Sequence, residues 1–390
     1  ALTGGNEEGA YRVSIGKDIM NGLYEDHKVE KLTFDLRADY DINNWLNVDT
    51  KVSYFQTEGN ERPEIGNYSY VSYFNTMPMN IRNQDLAPGY NIISGQHVEK
   101  LYKNPNANLR NPYFLQAQTT NYDEKNRTFG YVAANIKINS DLKAKFKYGM
   151  DFYDFSSVEG YLFADNVDAS RPNYNPTQSN FKEENYEFLL SYNKDINKDF
   201  SIGVNVGAND MRRISKGLSA NSGRLSSEGD FFLEAGSNIK ASESASESEV
   251  RSVYGFGQVA YKNMLFLDLT ARNDWSSTLT ASDAQYDNSY FYPSLSLSGI
   301  VSEMTDLPDW VSFAKVRGSW AKVGKATDPY NTSQSYTLES GNYNLTRGVV
   351  SDQRVVIGLK PEISTSWEIG ADLRLLNNRL GIDFTYYNEE

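Results

Sequence analysis

The sequence predicts an all-β protein, a transmembrane antiparallel β-barrel with long extracellular loops and short periplasmic turns. Three observations support this prediction. Apolar and polar residues alternate along many segments, the connections between these segments alternate between short and long, and aromatic residues make up 13% of the chain, including 28 tyrosines. Tyrosine and tryptophan are enriched where membrane-spanning strands cross the lipid–water interface.

The alternation is clearest in residues 263–277. Its apolar residues are Leu265, Leu267, Leu269 and Ala271, and the residues that alternate with them are Phe266, Asp268, Thr270 and Arg272. Because the side-chain period of a β-strand is two, this strand has one apolar face and one mostly polar face. A soluble sheet with one solvated face shows the same alternation, so the barrel prediction depends on repetition of the pattern.

Three segments with this alternation lie near the N-terminus, within residues 11–15, 32–41 and 46–54. Asn43–Asn44, between the last two, is a tight-turn signal. Residues 57–122 then show no sustained alternation. A connection of this length is unusual inside a compact soluble domain but typical of an extracellular barrel loop.

The middle of the chain contains two predicted hairpins. The first joins residues 132–138 and 142–148 through a turn at Ser140–Asp141, and the second joins residues 186–192 and 200–208 through a short polar turn. The connections within these hairpins are short, whereas the connections between hairpins are long. Outer-membrane barrels separate loop lengths in this way, because their turns are short on the periplasmic side and long outside.

Residues 215–248 are rich in Ser, Gly, Ala and Glu, which predicts a solvated flexible loop. The predicted strands that follow lie within residues 252–261, 265–272, 295–301, 314–320, 367–373 and 380–386. Short turns at Lys262–Asn263 and Asn377–Asn378 contrast with a long loop predicted for residues 324–362.

Together these segments make about 13 strands of roughly 9 to 14 residues, which is long enough to cross a bilayer at a tilt. Bacterial single-chain barrels have an even number of strands, so further strands are expected outside this sequence. The chain also begins at Ala1 without a signal peptide and stops within a strand-like run. We therefore expect a partial barrel.

Three groups of side chains are candidates for functional roles. The polar residues expected to face the lumen are Asp35, Arg37, Asp39, Lys143, Lys145, Lys147, Asn205, Asp268, Arg272, Glu368, Asp372 and Arg374. The loop aromatics that could stack on sugar rings or hold a peptide are Tyr68, Tyr70, Tyr73, Phe74 and Tyr90. The expected interface aromatics are Trp275, Tyr290, Tyr292 and Trp367. The competing interpretations are cross-strand charge pairing for the first group and loop self-packing for the second.

Composition argues against several other functions. A net charge of −13 disfavours nucleic-acid binding, because phosphates require a basic surface. The sequence has no cysteine and only two histidines, His27 and His97, so no metal site is expected. No carboxylate pair is singled out by its spacing, and we predict no catalytic residue, no cofactor and no enzyme activity. No apolar run is long enough for a transmembrane helix.

Short motifs are spread over most of the chain. They are TGGNE at residues 3–7 with YRVS at 11–14, RNDWSS at 272–277, SYFYPS at 289–294, KVRGSW at 315–320, VG at 323–324 with DPY at 328–330, and LKPE at 359–362 with TSWEIG at 365–370. In this order the motifs resemble the barrel portion of SusC/RagA-like TonB-dependent outer-membrane transporters of Bacteroidetes.

The resemblance implies a barrel of about 22 strands around an N-terminal plug, located in the bacterial outer membrane. Contact with this plug is a further competing interpretation of the polar residues expected to face the lumen. It also implies import of oligosaccharides or oligopeptides with a SusD-like surface lipoprotein, using energy relayed by the TonB complex. Outer-membrane lipid and a dimer of transporter–lipoprotein pairs are further expected partners. The sequence lacks the family's plug, TonB box, carboxypeptidase-like extension and closing strands, so residues 1–390 are expected to be one partial barrel domain.

Two alternatives remain open from the sequence. A passive porin would have neither an upstream plug nor a TonB box. A soluble sugar-binding β-protein would tolerate charged residues on the apolar faces of its strands.

Overall fold

The computed structural model describes residues 1–24, 26–64, 66, 69–77, 79–100, 110–164, 170–280, 288–334, 336–340, 346–350 and 358–390. Its main feature is one antiparallel sheet of 14 strands, each paired with its neighbour along the chain. These strands are β1 (Leu2–Asn6), β2 (Gly9–Asn21), β3 (Lys28–Asn43), β4 (Leu46–Asn60), β7 (Thr119–Lys137), β8 (Leu142–Tyr161), β9 (Asn173–Asp195), β10 (Phe200–Asn221), β11 (Lys240–Tyr261), β12 (Leu265–Ser276), β13 (Ser289–Ile300), β14 (Val311–Lys325), β17 (Glu362–Leu375) and β18 (Leu380–Glu389).

Shorter elements lie in the connections. Two separate hairpins are formed by β5 (Tyr90–Ile93) with β6 (Gln96–Glu99) and by β15 (Tyr336–Ser340) with β16 (Thr346–Val350). The helices are α1 (Tyr70–Thr76), α2 (Asn83–Leu86), α3 (Pro112–Gln118) and α4 (Val301–Met304), and two single 3₁₀ turns occur at Leu233–Ala235 and Ser277–Leu279. In the described ranges, no helix is long and apolar enough to cross a bilayer.

Each strand predicted from the sequence is present in the main sheet. β1 is an additional strand that sequence reasoning missed, because its five residues, LTGGN, contain two glycines and are too few to show alternation. The turns predicted at Asn43–Asn44, Ser140–Asp141, Lys262–Asn263 and Asn377–Asn378 are also confirmed, since the chain reverses at each of them from one strand to the next.

The prediction of a flexible loop for residues 215–248 is wrong at both ends of this segment, and only residues 222–239 connect the two strands. β10 continues to Asn221 and β11 begins at Lys240, so that Gly217 lies opposite Ser244 in a regular ladder. Both faces of this part of β11 are largely exposed, so it carries no apolar alternation. Backbone hydrogen bonding needs no apolar side chains, and composition therefore misled the prediction.

The ladder register divides the sheet into two faces. Residues directly opposite each other on neighbouring antiparallel strands lie on the same face. One row across the sheet consists of Asp39, Asp49, Ala133, Lys147, Glu187, Asn209, Ser252, Asp274 and Tyr290. We name the side of the sheet that carries this row the polar face.

The opposite side of the sheet, here named the apolar face, carries a row of Ile202, Val259, Leu267, Leu297, Gly318, Ile369 and Tyr386. Its side chains are unusually open for apolar groups. The exposed fraction is 48% for Leu297, 59% for Ile369 and 64% for Phe384. A contiguous apolar surface of this kind marks contact with a membrane or with another protein.

A recurring asparagine turn closes the connections at one end of the sheet. Side-chain Oδ1 atoms of Asn6, Asn43, Asn139 and Asn197 each accept hydrogen bonds from the backbone N–H groups two and three residues later. Such Asx turns satisfy the backbone groups that the tight reversal would otherwise leave unpaired. The longer connections, from Asn60 to Thr119 and from Lys325 to Glu362, begin and end at the other end of the sheet.

Candidate functional site

All the residues that the sequence predicts to face the lumen lie on the polar face. The register places Asp35 opposite Ser53, Lys147 opposite Glu187, and Asp268 opposite Ser296. The alternation in the sequence therefore grouped residues that share one side of the sheet, and that this side faces a lumen stays a prediction.

Most charged groups on the polar face are paired across or along strands. Asp35 accepts a hydrogen bond of 2.5 Å from Ser53 Oγ, and Gln258 Nε2 donates to Asp268 at 2.7 Å. Further ion pairs with their N–O distances are Arg37–Asp49 at 3.7 Å, Lys145–Glu187 at 4.0 Å, Arg213–Glu183 at 2.6 Å, Arg317–Asp383 at 3.0 Å and Arg374–Asp372 at 3.9 Å. Exposed pairs of this kind add little stability individually, but they give the face a wettable, nearly balanced charge pattern.

A denser cluster surrounds Asp274, which is only 5% exposed. Its carboxylate accepts hydrogen bonds from Arg272 Nε at 2.7 Å and from the Tyr292 hydroxyl at 2.5 Å. Arg272 also donates to Ser252 Oγ at 2.8 Å and lies 5.5 Å from the centre of the Tyr254 ring. Sequence reasoning singled out Arg272 but missed Asp274, although the alternation places both on the same face.

Two of the expected interface aromatics need correction. Tyr290 and Tyr292 lie on the polar face, in register with Asp274 and Arg272 respectively. The residue between them, Phe291, is the one that points to the apolar side and is 58% exposed. An aromatic near a strand end can belong to either face, and only the register decides which.

The two tryptophans of this group lie on the apolar face, as expected for interface aromatics. Trp275 is 40% exposed and Trp367 is 41% exposed. Trp367 is directly opposite Trp320 and packs its ring 5.5 Å from that of Tyr386. Trp320 was not singled out from the sequence, although the alternation of β14 predicts its side.

Several of the most deeply buried side chains lie in the long connections, in a region here named the loop cap. It comprises the described residues of 61–118, 162–172 and 222–239. Tyr70, Tyr73 and Leu115 form its core, and the Tyr24 ring packs edge-on against Tyr70 with 5.3 Å between ring centres. Burial raises the pKa of the Tyr70 hydroxyl to about 12.

Asn111 is the central polar residue of the loop cap and is fully buried. Its side-chain amide donates to the carbonyl oxygens of Leu86 and Lys100 at 3.0 and 3.1 Å, and its Oδ1 caps α3 by accepting from the N–H of Tyr113 at 3.0 Å. Its own N–H donates to Glu99 at 2.7 Å. One residue thus connects α2, the β5–β6 hairpin and α3.

A second contact joins the three parts of the loop cap to each other. His97 Nδ1 lies 2.8 Å from Glu228 Oε2, and the His97 ring stacks on Phe163 with 3.9 Å between ring centres. Glu228 also accepts a hydrogen bond from the N–H of Ala164 at 3.1 Å. The loop cap is therefore one packed unit.

The placement of the loop aromatics changes their interpretation. Tyr70 and Tyr73 are 5% and 8% exposed, so they are packing residues and present no free ring face to a ligand. Phe74 packs edge-on against Tyr113, and Tyr90 packs edge-on against His97. Tyr68 lies outside the described residues. Loop self-packing, the competing interpretation, accounts for the described members of this group.

No cluster of three or more His, Cys, Asp or Glu side chains suited to a metal ion occurs in the described part of the chain. His97 is engaged with Glu228 and Phe163, and His27 lies in the short connection between β2 and β3.

The sequence matches the family described as "TonB dependent receptor-like, beta-barrel" over residues 53–390. This match covers most of the chain, and the chain therefore belongs to that family. Barrels of this family are outer-membrane proteins that transport rather than catalyse, which confirms the expected location and the expectation that the chain is not an enzyme.

Individual relatives agree with the family assignment. "TonB-dependent receptor P3" of Formosa agariphila is 23% identical over 417 aligned residues, covering 99% of this chain and 39% of the relative. The solved "RagAB peptide importer in the 'closed-closed' state" has a TM-score of 0.80 at 17% identity, covering 99% of this chain and 43% of that chain.

A more distant solved structure, the "Ferric-Catecholate import receptor Fiu from K12 E. coli", has a TM-score of 0.58 at 10% identity, covering 100% of this chain and 55% of that chain. At these identities the solved structures show the fold alone. The chain spans about two fifths of the length of the curated relative, since it covers 39% of it.

Proposed function

We propose that the chain is the barrel portion of a TonB-energised importer, which takes up an oligosaccharide or oligopeptide together with a SusD-like surface lipoprotein. The observation that carries this proposal is the continuous polar face of the sheet. The apolar face, on the other side of the same sheet, contacts lipid. In the complete barrel, the polar face lines the lumen, and the residues predicted to face the lumen belong to its wall.

The chemistry of the polar face suits a hydrated solute. Its charges are largely compensated in pairs, and hydroxyl and amide groups lie between them, so a passing oligomer exchanges hydrogen bonds with water for hydrogen bonds with the wall at little net cost. The proposed transport involves no covalent chemistry. It consists of capture above the lumen, displacement of a plug, and passage along this wall.

The loop cap supports the lipoprotein part of the proposal. A lid that opens and closes needs a fixed surface to dock against, and the buried contacts of Asn111 and His97 hold the loop cap as one unit. The solved RagAB structure, with a TM-score of 0.80, is that of a peptide importer, which supports an oligomeric nutrient here.

The proposal is tested in two steps on the full-length protein in its native cells. An affinity-tagged chain is first extracted from the outer membrane in mild detergent, and its companions are identified by mass spectrometry. We expect a stoichiometric surface lipoprotein. Recovery of the chain without any lipoprotein would contradict the partner assignment.

In the second step, uptake of fluorescently labelled casein tryptic peptides and labelled maltodextrins is compared in three strains: wild type, a strain lacking this protein, and a strain lacking TonB. We expect uptake of one class to fall to background in both deletion strains. Uptake that survives loss of TonB but requires this protein would indicate a passive porin instead.

A further inference from the structure

The polar face contains a recess at the level of Gly149 on β8. Phe129 and Tyr131 of β7 form one wall, Asn185 and Glu187 of β9 form the other, and the volume is about 320 Å³. Gly149 forms the floor of the recess, because on β8 it lies directly opposite Tyr131 of β7 and Asn185 of β9.

Gly149 is not required by the packing of the sheet. A Cβ atom added there would meet its nearest neighbours at 3.8 Å or more, which is ordinary contact. By contrast, a Cβ at Gly130 on the same strand pair would lie 2.1 Å from the backbone oxygen of Lys51. A glycine in a strand interior that is not needed for strand packing often marks a place where a ligand approaches the backbone.

Among the described residues around the recess, the acidic side chains have partners of opposite charge, whereas two lysines do not. Its acidic groups all have cationic partners: Asp151 pairs with Arg127, Glu183 with Arg213 and Glu187 with Lys145. The carboxylate of Asp49, beside the recess, accepts the Tyr131 hydroxyl at 2.9 Å. These carboxylates therefore do not require a ligand cation.

The two lysines of the recess differ from the acidic groups. The Lys51 ammonium lies 5.6 Å from the centre of the Phe129 ring, and the Lys147 ammonium lies 4.9 Å from that of Tyr131. Among the residues that the structure describes, neither ammonium forms an ion pair with a carboxylate. A cation–π contact compensates only part of the charge of an ammonium group.

We propose that the recess at Gly149 is a subsite for a carboxylate group of the transported solute, which Lys51 and Lys147 bind together. The ring faces of Phe129 and Tyr131 are already covered by these lysines, and Phe129 also stacks on Phe55 at 5.6 Å. A neutral sugar would have to displace a lysine to stack there, whereas an anion adds to the existing arrangement. This inference rests on the proposed import function.

A ligand carboxylate could come from an acidic oligopeptide or from a uronic-acid oligosaccharide. Both sources are tested with the full-length protein in detergent, by isothermal titration calorimetry at low salt. The probes are triglutamate and trigalacturonate, and the neutral controls are triglutamine and a galactose trisaccharide. We expect one acidic probe to bind at least tenfold tighter than its neutral control. The identity of that probe shows whether the ligand carboxylate comes from a peptide or from a uronic-acid oligosaccharide.

Four variants locate the binding. The double substitution Lys51→Gln with Lys147→Gln should weaken binding of the acidic probe at least tenfold. Gly149→Phe should weaken it to the same extent, because the phenyl ring fills the recess. Gly149→Ala, which fits the available space, and Lys198→Gln, at an exposed position in the turn between β9 and β10, should each leave the affinity within about twofold of the wild type.

Three outcomes would overturn the inference. One is that no acidic probe binds better than its control. Another is that Gly149→Phe binds the probe like the wild type. The third is that the double lysine variant lowers the melting temperature without probe and keeps its affinity, since the lysines would then hold a segment of the protein itself. Because calorimetry requires neither TonB nor the lipoprotein, failure of the uptake experiment is distinguishable from failure of this subsite.

Discussion

Neighbouring residues on a strand of this protein face different surroundings. Leu267 lies between Val259 and Leu297 on the apolar face, and Asp268 lies between Gln258 and Ser296 on the polar face. The sequence alone predicts this difference, because period-two alternation requires no tertiary information. It predicts the side of Tyr290 and Tyr292 only if the alternation of Leu295 and Leu297 is continued back through one unbroken strand, because tyrosine itself is compatible with both sides.

Leu267→Arg should reduce the free energy of unfolding by roughly 2–4 kcal/mol if the apolar face contacts the middle of the bilayer. Asp268→Ala should cost below about 1 kcal/mol, since it removes one exposed hydrogen bond from Gln258. The measurement is reversible urea unfolding of the full-length protein in lipid vesicles. Equal costs at the two positions would contradict the assignment of the faces.

Asn111→Ala should destabilise the loop cap, because it leaves the carbonyls of Leu86 and Lys100 and the N–H of Tyr113 without their side-chain partner. We expect a local cost of about 1–3 kcal/mol and faster amide exchange in residues 83–100 and 110–118, with no change in β8 to β10. Asn91→Ala, an exposed site on β5, is the control. Unchanged exchange in the variant would show that Asn111 does not hold the loop cap together.

At the scale of elements, the existence and order of the strands follow from the sequence, whereas their lengths do not. Alternation detected β11 only from residue 252, although the strand begins at Lys240. Apolar and polar residues alternate only in the part of a strand that has one face in apolar surroundings. Strand ends that extend beyond those surroundings show no alternation, so the sequence does not predict them. The Asn turns, in contrast, are predictable because a local side chain closes them.

Asn197→Ala should destabilise the β9–β10 hairpin by about 1 kcal/mol, because the N–H groups of Asp199 and Phe200 lose their acceptor. Asn197→Asp keeps an acceptor oxygen and should cost less. Lys198→Ala, at an exposed position in the same turn, should be neutral. Urea unfolding in vesicles ranks the three variants, and equal stability of all three would remove the proposed role of this turn.

At the scale of the whole molecule, the sheet order is predictable because each of the 14 strands pairs with the next strand of the same sheet along the chain. The loop cap is not predictable in this way. Its contacts join segments distant in sequence, such as His97 with Glu228, and no periodic pattern encodes such a meeting. The sequence therefore leaves both ligand contact and loop self-packing open for the loop aromatics, and the burial of Tyr70 and Tyr73 supports self-packing.

The separation of long and short connections predicts the orientation of the protein in the membrane. Ala245 is exposed on the part of β11 that extends toward the long-loop end, and Lys198 is exposed in a short turn at the opposite end. Because the 390 residues contain no cysteine, Ala245→Cys and Lys198→Cys each add a single thiol to this region.

A membrane-impermeant maleimide added to intact cells should label Ala245→Cys, whereas Lys198→Cys should react only after the outer membrane is permeabilised. The physical reason is that a charged reagent cannot cross the apolar band between the two positions. The unsubstituted protein controls for thiols elsewhere in the complete chain. Equal labelling of both variants in intact cells would mean that no membrane separates the two ends of the sheet, and the apolar face would then have to be covered by protein.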